Sequence, residues 1–255
     1  MPAATRWPEG NTPVVALHGF TQTGRSWEAV ERALGEAILA PDLPGHGSAS
    51  HERPIDLDAA AALIADRTTP FLRGRAAWWI GYSLGGRVLL HIALTRPELV
   101  RGLVLVSTTA GIDDAAERAS RLAADGALAK EILRDGTEQF LDRWTAQPLF
   151  ATLTLSDDDR AERLRNTAGG LAASLRSCGT GTQKPLWDRL GELTMPTVVI
   201  TGELDTKFGA IGRRLTDALP DAVHEDLARA GHACHLEQPA AFAVALRRGH
   251  QRLRG

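Results

Sequence analysis

The chain has 255 residues, of which 44% are hydrophobic and 24% charged, enough for one large α/β domain or one domain carrying an insert. Its formal net charge of −2 provides no global field for nucleic acid or an acidic membrane surface, and no stretch approaches the ~18 continuous apolar residues of a membrane span. The segment from Met1 to Pro8 lacks the apolar core of a secretory signal, and two cysteines, Cys178 and Cys234, make no disulfide framework, so a cytoplasmic location is the expectation.

In chain order, Ala3–Trp7 offers a first short strand, and Pro13–Leu17 reads as a buried strand ending at His18-Gly19-Phe20. A helix is expected from Ser26, whose hydroxyl could cap the free amides that follow. The apolar run Ala37–Ala40 leads into Pro41-Asp42-Leu43-Pro44-Gly45-His46-Gly47-Ser48, a Gly/Pro loop. Leu57–Asp66 reads as a helix, Ala76–Ile80 as a strand, Gly85–Thr95 as a helix, and Leu103–Val106 and Thr197–Ile200 as strands. Short apolar runs alternating with helices predict a mostly parallel sheet covered on both faces.

About eighty residues, Gly111 to Leu190, separate two strands that one crossover helix could join; a structureless loop of that length is improbable. The stretch carries helical patterns at Asp114–Leu122, Leu128–Leu133 and Asp158–Arg165. It reads as a helical cap over the carboxyl ends of the strands, where ligands bind in open α/β sheets. The expected organisation is a core over residues 1–110, a cap over 111–190 and the rest of the core over 191–255.

The chemistry-bearing motif is Gly81-Tyr82-Ser83-Leu84-Gly85. A strand runs into it and a helix leaves it, the setting of a nucleophile elbow. The small residues Gly81, Gly85 and Gly86 allow the sharp turn and close helix–sheet packing. A serine nucleophile needs a base within hydrogen-bond reach, and the base needs an orienting group. Asp205, in the loop after Thr197–Ile200, and His232, after Gly231, complete the chain order Ser…Asp…His. Glu203 competes with Asp205, and His235 with His232. Expected oxyanion donors are the backbone amides of Phe20 and Leu84. His232-Ala233-Cys234-His235 has no evident third metal ligand, so neither metal nor organic cofactor is expected. Arg87, four residues after Ser83, shares its face of the helix.

Together these residues resemble the α/β-hydrolase superfamily across nearly the whole chain. Four motifs resemble, more closely, the 2-succinyl-6-hydroxy-2,4-cyclohexadiene-1-carboxylate (SHCHC) synthases of menaquinone biosynthesis. They are Gly81–Arg87, Gln147-Pro148-Leu149-Phe150-Ala151, Gly202-Glu203-Leu204-Asp205-Thr206-Lys207-Phe208 and Ala230–His235. The resemblance implies a lyase that eliminates pyruvate from a cyclohexene bearing three carboxylates. Its partner would be a small anionic substrate, and the pocket would need fixed cations, for which arginine's planar fork is suited. The resemblance assigns substrate-binding roles to Arg87, Arg121, Arg165 and Lys207, with Tyr82 and Trp144 as pocket aromatics; Arg118 and Arg163 stand as alternatives to Arg121 and Arg165. It implies a triad used for proton abstraction rather than acylation. The competing readings are a carboxylesterase or carbon–carbon bond hydrolase of an anionic carbonyl substrate, and a non-enzymatic ligand-binding member of the fold.

Overall fold

The computed structural model describes residues 12–252; the strand expected at Ala3–Trp7 lies outside them. Five parallel strands lie side by side in sequence order: β1 (Val14–Leu17), β2 (Ala77–Tyr82), β3 (Val100–Val106), β4 (Thr197–Gly202) and β5 (Ala222–Leu227). The helices are α1 (Glu28–Leu34), α2 (Leu57–Leu72), α3 (Leu84–Thr95), α4 (Ala115–Thr145), α5 (Asp157–Arg163), α6 (Ala168–Cys178), α7 (Thr206–Ala218), α8 (Cys234–Glu237) and α9 (Pro239–Arg252). Among the described residues no helix is long and apolar enough to cross a membrane.

Alternation along the strands divides the core in two. Val15, Leu17, Trp79, Leu103, Leu105 and Val199 face a cluster that includes Ile64, Leu89 and Leu215 from α2, α3 and α7. Val14, Ala16, Trp78, Ile80, Val104, Val106, Val198 and Ile200 face a second cluster with Val30 of α1 and Phe242 and Leu246 of α9. Both faces of each central strand are buried, so the strands read as continuous apolar runs.

Several local expectations are corrected. Ser26 does not cap a helix: it lies inside a 3₁₀ turn, Gly24–Trp27, and its hydroxyl has no hydrogen-bond partner. Asp56 caps α2, which runs on to Leu72 through Pro70. The patterns at Asp114–Leu122 and Leu128–Leu133 belong to one element, α4, broken at Gly136 (φ 80°, ψ 172°). Helix α6 and strand β5 were not expected. The Gly169-Gly170 pair masks α6, yet Gly170 is required because a Cβ there would lie 2.4 Å from the Gly45 carbonyl oxygen. Strand β5 is an edge strand with polar, half-buried residues, and so lacks the apolar run of its neighbours.

Helices α4 to α6 form an insert between β3 and β4 with a small core of its own. Ala129, Ile132, Phe140, Leu171, Ala172 and Leu175 are buried together, with Phe20 and Trp144 packed against them. Because the parallel strands all end on the same side, the loops carrying Phe20, Ser83, Asp205 and His232 converge beneath this insert.

Candidate active site

Ser83 sits between β2 and α3 at φ 49°, ψ −107°, a left-handed conformation unusual for a non-glycine residue. Its amide donates to the Val106 carbonyl, and the Thr108 hydroxyl donates to the Ser83 carbonyl at 2.7 Å. The turn depends on missing side chains. A Cβ on Gly81 would lie 2.6 Å from Gly86 Cα, and one on Gly85 would lie 2.3 Å from the Leu17 carbonyl oxygen.

Asp205 caps α7. Its Oδ1 accepts the Phe208 amide at 3.1 Å, and its Oδ2 lies 2.7 Å from His232 Nδ1. Both residues are buried. A carboxylate fixed at both oxygens and facing Nδ1 orients the imidazole ring and turns Nε2 away from Asp205. The rivals are placed elsewhere. Glu203 is exposed and accepts the Arg229 amide at 2.9 Å. His235 is fully buried among Trp27, Tyr82 and Phe242, with neither ring nitrogen hydrogen-bonded. Burial holds it neutral, well below the usual histidine range. Among the described residues no group of three metal-ligating side chains is assembled.

Ser83 and His232 line a cleft of ≈ 410 Å³ together with Phe20, Tyr82, Leu84, Arg87, Arg121, Trp144 and Lys207. Leu84 opens α3, where no helical carbonyl is available to its amide. The Phe20 amide donates to no group among the described residues. Its loop is held by His18, which bridges the Gly19 carbonyl and the Leu43 amide, and by Gln22, whose Oε1 accepts the Gly19 amide. Burial pushes His18 and His46 below the usual range, His46 to about 3.

Three cationic side chains, Arg87, Arg121 and Lys207, line the cleft. Arg87 is 7% exposed and donates to the Cys178 carbonyl at 2.7 Å. Burial pulls its pKa from 12.5 to about 10, so it stays charged at neutral pH. Arg121 pairs with buried Asp125 at 2.7 Å and lines the cleft, whereas Arg118 is spent on the Ile112 and Asp113 carbonyls. Lys207 sits 5.9 Å from the Phe208 ring centre. Tyr82 packs against His232 at 5.3 Å, and burial raises its phenol well above the usual value, keeping it neutral.

Arg165 is a correction. It is 55% exposed, pairs with Glu162 and does not line the cleft, because it falls just past the end of α5 on its outer side. Arg163, two residues earlier at the end of α5, is the buried arginine and donates to Thr21 Oγ1 at 2.6 Å. It does not line this cleft but a separate one, with Gln22, Thr23 and Glu162. Sequence reasoning also missed Asp125 and Thr108. The Arg121/Asp125 spacing of four on a helix was a usable signal; the Thr108 contact depends on β3 lying beside β2 and had none.

Comparison with known proteins places the chain in a family. The sequence profile of the alpha/beta hydrolase family matches residues 14–245. A Bacillus subtilis (strain 168) protein assigned as a candidate SHCHC synthase is 38% identical over 94% of this chain and 90% of its own length. The SHCHC synthase of Enterobacter sp. (strain 638) is 33% identical over 91% of this chain and 89% of its own. The solved structure of MenH from S. aureus superposes with a TM-score of 0.89 at 29% identity, covering 97% of this chain and 96% of that one. The chain belongs to the alpha/beta hydrolase family and, within it, to the SHCHC synthases.

Proposed function

We propose that this protein eliminates pyruvate from 2-succinyl-5-enolpyruvyl-6-hydroxy-3-cyclohexene-1-carboxylate to give SHCHC, with the helical insert as the cap of the site. The observation that carries the reading is the pairing of a serine–histidine–aspartate arrangement with Arg87, Arg121 and Lys207 in one cleft. The substrate carries three carboxylates, and an apolar acyl pocket would gain nothing from a desolvated arginine. Arg87 and Arg121 keep donors beyond those used on Cys178 and Asp125, and guanidinium groups pair bidentately with carboxylates.

In this mechanism His232, oriented by Asp205, draws the proton from Ser83 Oγ. The Ser83 oxygen removes the proton from the ring carbon bearing the succinyl ketone. The electron pair moves toward the ketone oxygen, where the Phe20 and Leu84 amides receive the developing charge; such preorganised donors contribute several kcal/mol. The dienolate re-forms the ketone as the ring double bond shifts and the carbon–oxygen bond to the enolpyruvyl group breaks. The departing enolate takes up one proton and becomes pyruvate, and His232 gives up the one proton it drew from Ser83, so that with the ring proton now on Ser83 Oγ both residues return to their starting states. No acyl-enzyme forms.

The test is pyruvate release by purified Ser83→Ala. Turnover should fall to the spontaneous rate while the substrate still binds through the arginines. Near-normal turnover by this variant would remove Ser83 from the reaction.

A further inference from the structure

We propose that Asn166 is a positioning residue for the oxyanion donor: it clamps the Thr21 carbonyl and so fixes the direction of the Phe20 amide. Thr21 follows Phe20, is buried, and has φ 67°, a left-handed conformation that is a genuine outlier for a β-branched residue. Such a conformation persists only where the surroundings over-determine it. The surroundings here come from the insert. Asn166 Nδ2 donates to the Thr21 carbonyl at 2.8 Å, and Arg163 Nη1 donates to the Thr21 hydroxyl at 2.6 Å.

Asn166 has no freedom to do otherwise. Its Oδ1 accepts the Gly47 amide at 2.8 Å, which fixes the amide orientation, and its second Nδ2 hydrogen is taken by the Arg163 carbonyl at 2.9 Å. The side chain is buried and satisfied at both ends. It thereby ties three segments together: the loop after β1, the Gly45–Gly47 loop and the end of α5. On the other side of Phe20, Gln22 holds the Gly19 amide. The Phe20 amide thus stands between two anchored residues, free of any acceptor of its own. Asn166 is also joined to the far half of α4, because Thr137, next to the Gly136 break, donates to the Asn166 carbonyl at 3.2 Å. That half of α4 carries the cleft residue Trp144. The insert therefore does more than cover the cleft; it sets the geometry of one oxyanion donor.

This inference rests on the proposed reaction, in which the Phe20 amide receives charge formed only in the transition state. Loss of the clamp should then lower kcat and spare KM. Removal of a whole oxyanion donor lowers kcat by about 10²–10³, so misdirecting one should cost roughly tenfold to a hundredfold.

The experiment compares wild type, Asn166→Ala, Thr21→Gly and the double variant in pyruvate release, with thermal unfolding in parallel. Asn166→Ala should lose kcat by that factor with KM changed by less than about twofold. Glycine adopts positive φ without strain, so the double variant should recover the kcat of Thr21→Gly alone while its unfolding temperature stays low. Asn166→Asp keeps the volume and the Gly47 bond but loses the donor to Thr21. It should show the same kcat loss, and it carries the test if the alanine variant fails to fold. Wild-type kcat in Asn166→Asp or Asn166→Ala would overturn the proposal, as would a kcat loss that follows stability and ignores Thr21→Gly. A wild-type chain that releases pyruvate no faster than background would remove the reaction itself, and this role with it.

Discussion

Replacing Arg87 with methionine separates binding from stability. The drop of the Arg87 pKa from 12.5 to about 10 by burial corresponds to ~3 kcal/mol against the charged form. Across pH 5–9 that cost is constant, because the whole range lies below both values. Methionine removes it and keeps most of the side-chain volume. The loss is the hydrogen bond to the Cys178 carbonyl, and an unsatisfied buried acceptor costs about 1–3 kcal/mol. The two nearly cancel, so the unfolding temperature should stay level or rise by a few degrees, at about 2–4 °C per kcal/mol for a chain of this size. Binding should respond very differently. Truncating one partner of a buried, hydrogen-bonded charge pair costs about 2–5 kcal/mol, so kcat/KM for pyruvate release should fall roughly 30-fold to several thousandfold. The assay is pyruvate release beside thermal unfolding on the same preparation. A variant that melts ten degrees lower yet keeps its kcat/KM would show that Arg87 serves the fold and not the substrate, and the reasoning would be wrong.

Three other outcomes follow from the same geometry. Asp205→Asn keeps the cap on α7 but no longer fixes the His232 tautomer, so kcat should fall on the order of 10³–10⁴-fold with a thermal shift no larger than loss of a cap, about 1 kcal/mol. His235→Phe should retain activity and gain stability at low pH. The native state holds His235 neutral, well below the usual value, while the unfolded chain takes up a proton below about pH 6.5. Unfolding therefore binds a proton, and wild-type stability falls as pH drops, by about 1.4 kcal/mol per pH unit for each such histidine; urea unfolding at pH 7.5 and 5.5 should show the phenylalanine variant losing about one proton's worth less. Gly85→Ala should be poorly folded or inactive, since its Cβ would lie 2.3 Å from the Leu17 carbonyl oxygen and neither backbone can yield; a soluble, fully active Gly85→Ala would show that the elbow is looser than described.

The central strands and the elbow were legible because burial on both faces forces continuous apolar runs, and because Gly81 and Gly85 leave a sequence pattern. Strand β5 was not, since His224, Glu225 and Asp226 are an edge strand's residues. At the site, the choice of Asp205 over Glu203 and of His232 over His235 turned on distance from a strand end and on a neighbouring glycine; the structure adds the 2.7 Å contact and the apolar walls around His235. Arg165 was misplaced because two residues along a helix end separate a buried side chain from an exposed one, and the short α5 gives too little periodicity to tell which is which. Thr108, Gln22 and Asn166 act through contacts between segments far apart in the chain, which no local pattern records.

The measurement that bears most directly on the account follows pyruvate and the new diene chromophore together, with the unstable cyclohexene substrate generated in place by the preceding enzyme. The account requires equal amounts of both products, formed well above the spontaneous rate, with Ser83 unmodified by mass spectrometry during turnover. Release at the background rate, or an acyl adduct on Ser83 with rapid turnover of simple nitrophenyl esters, would contradict it and leave a hydrolase.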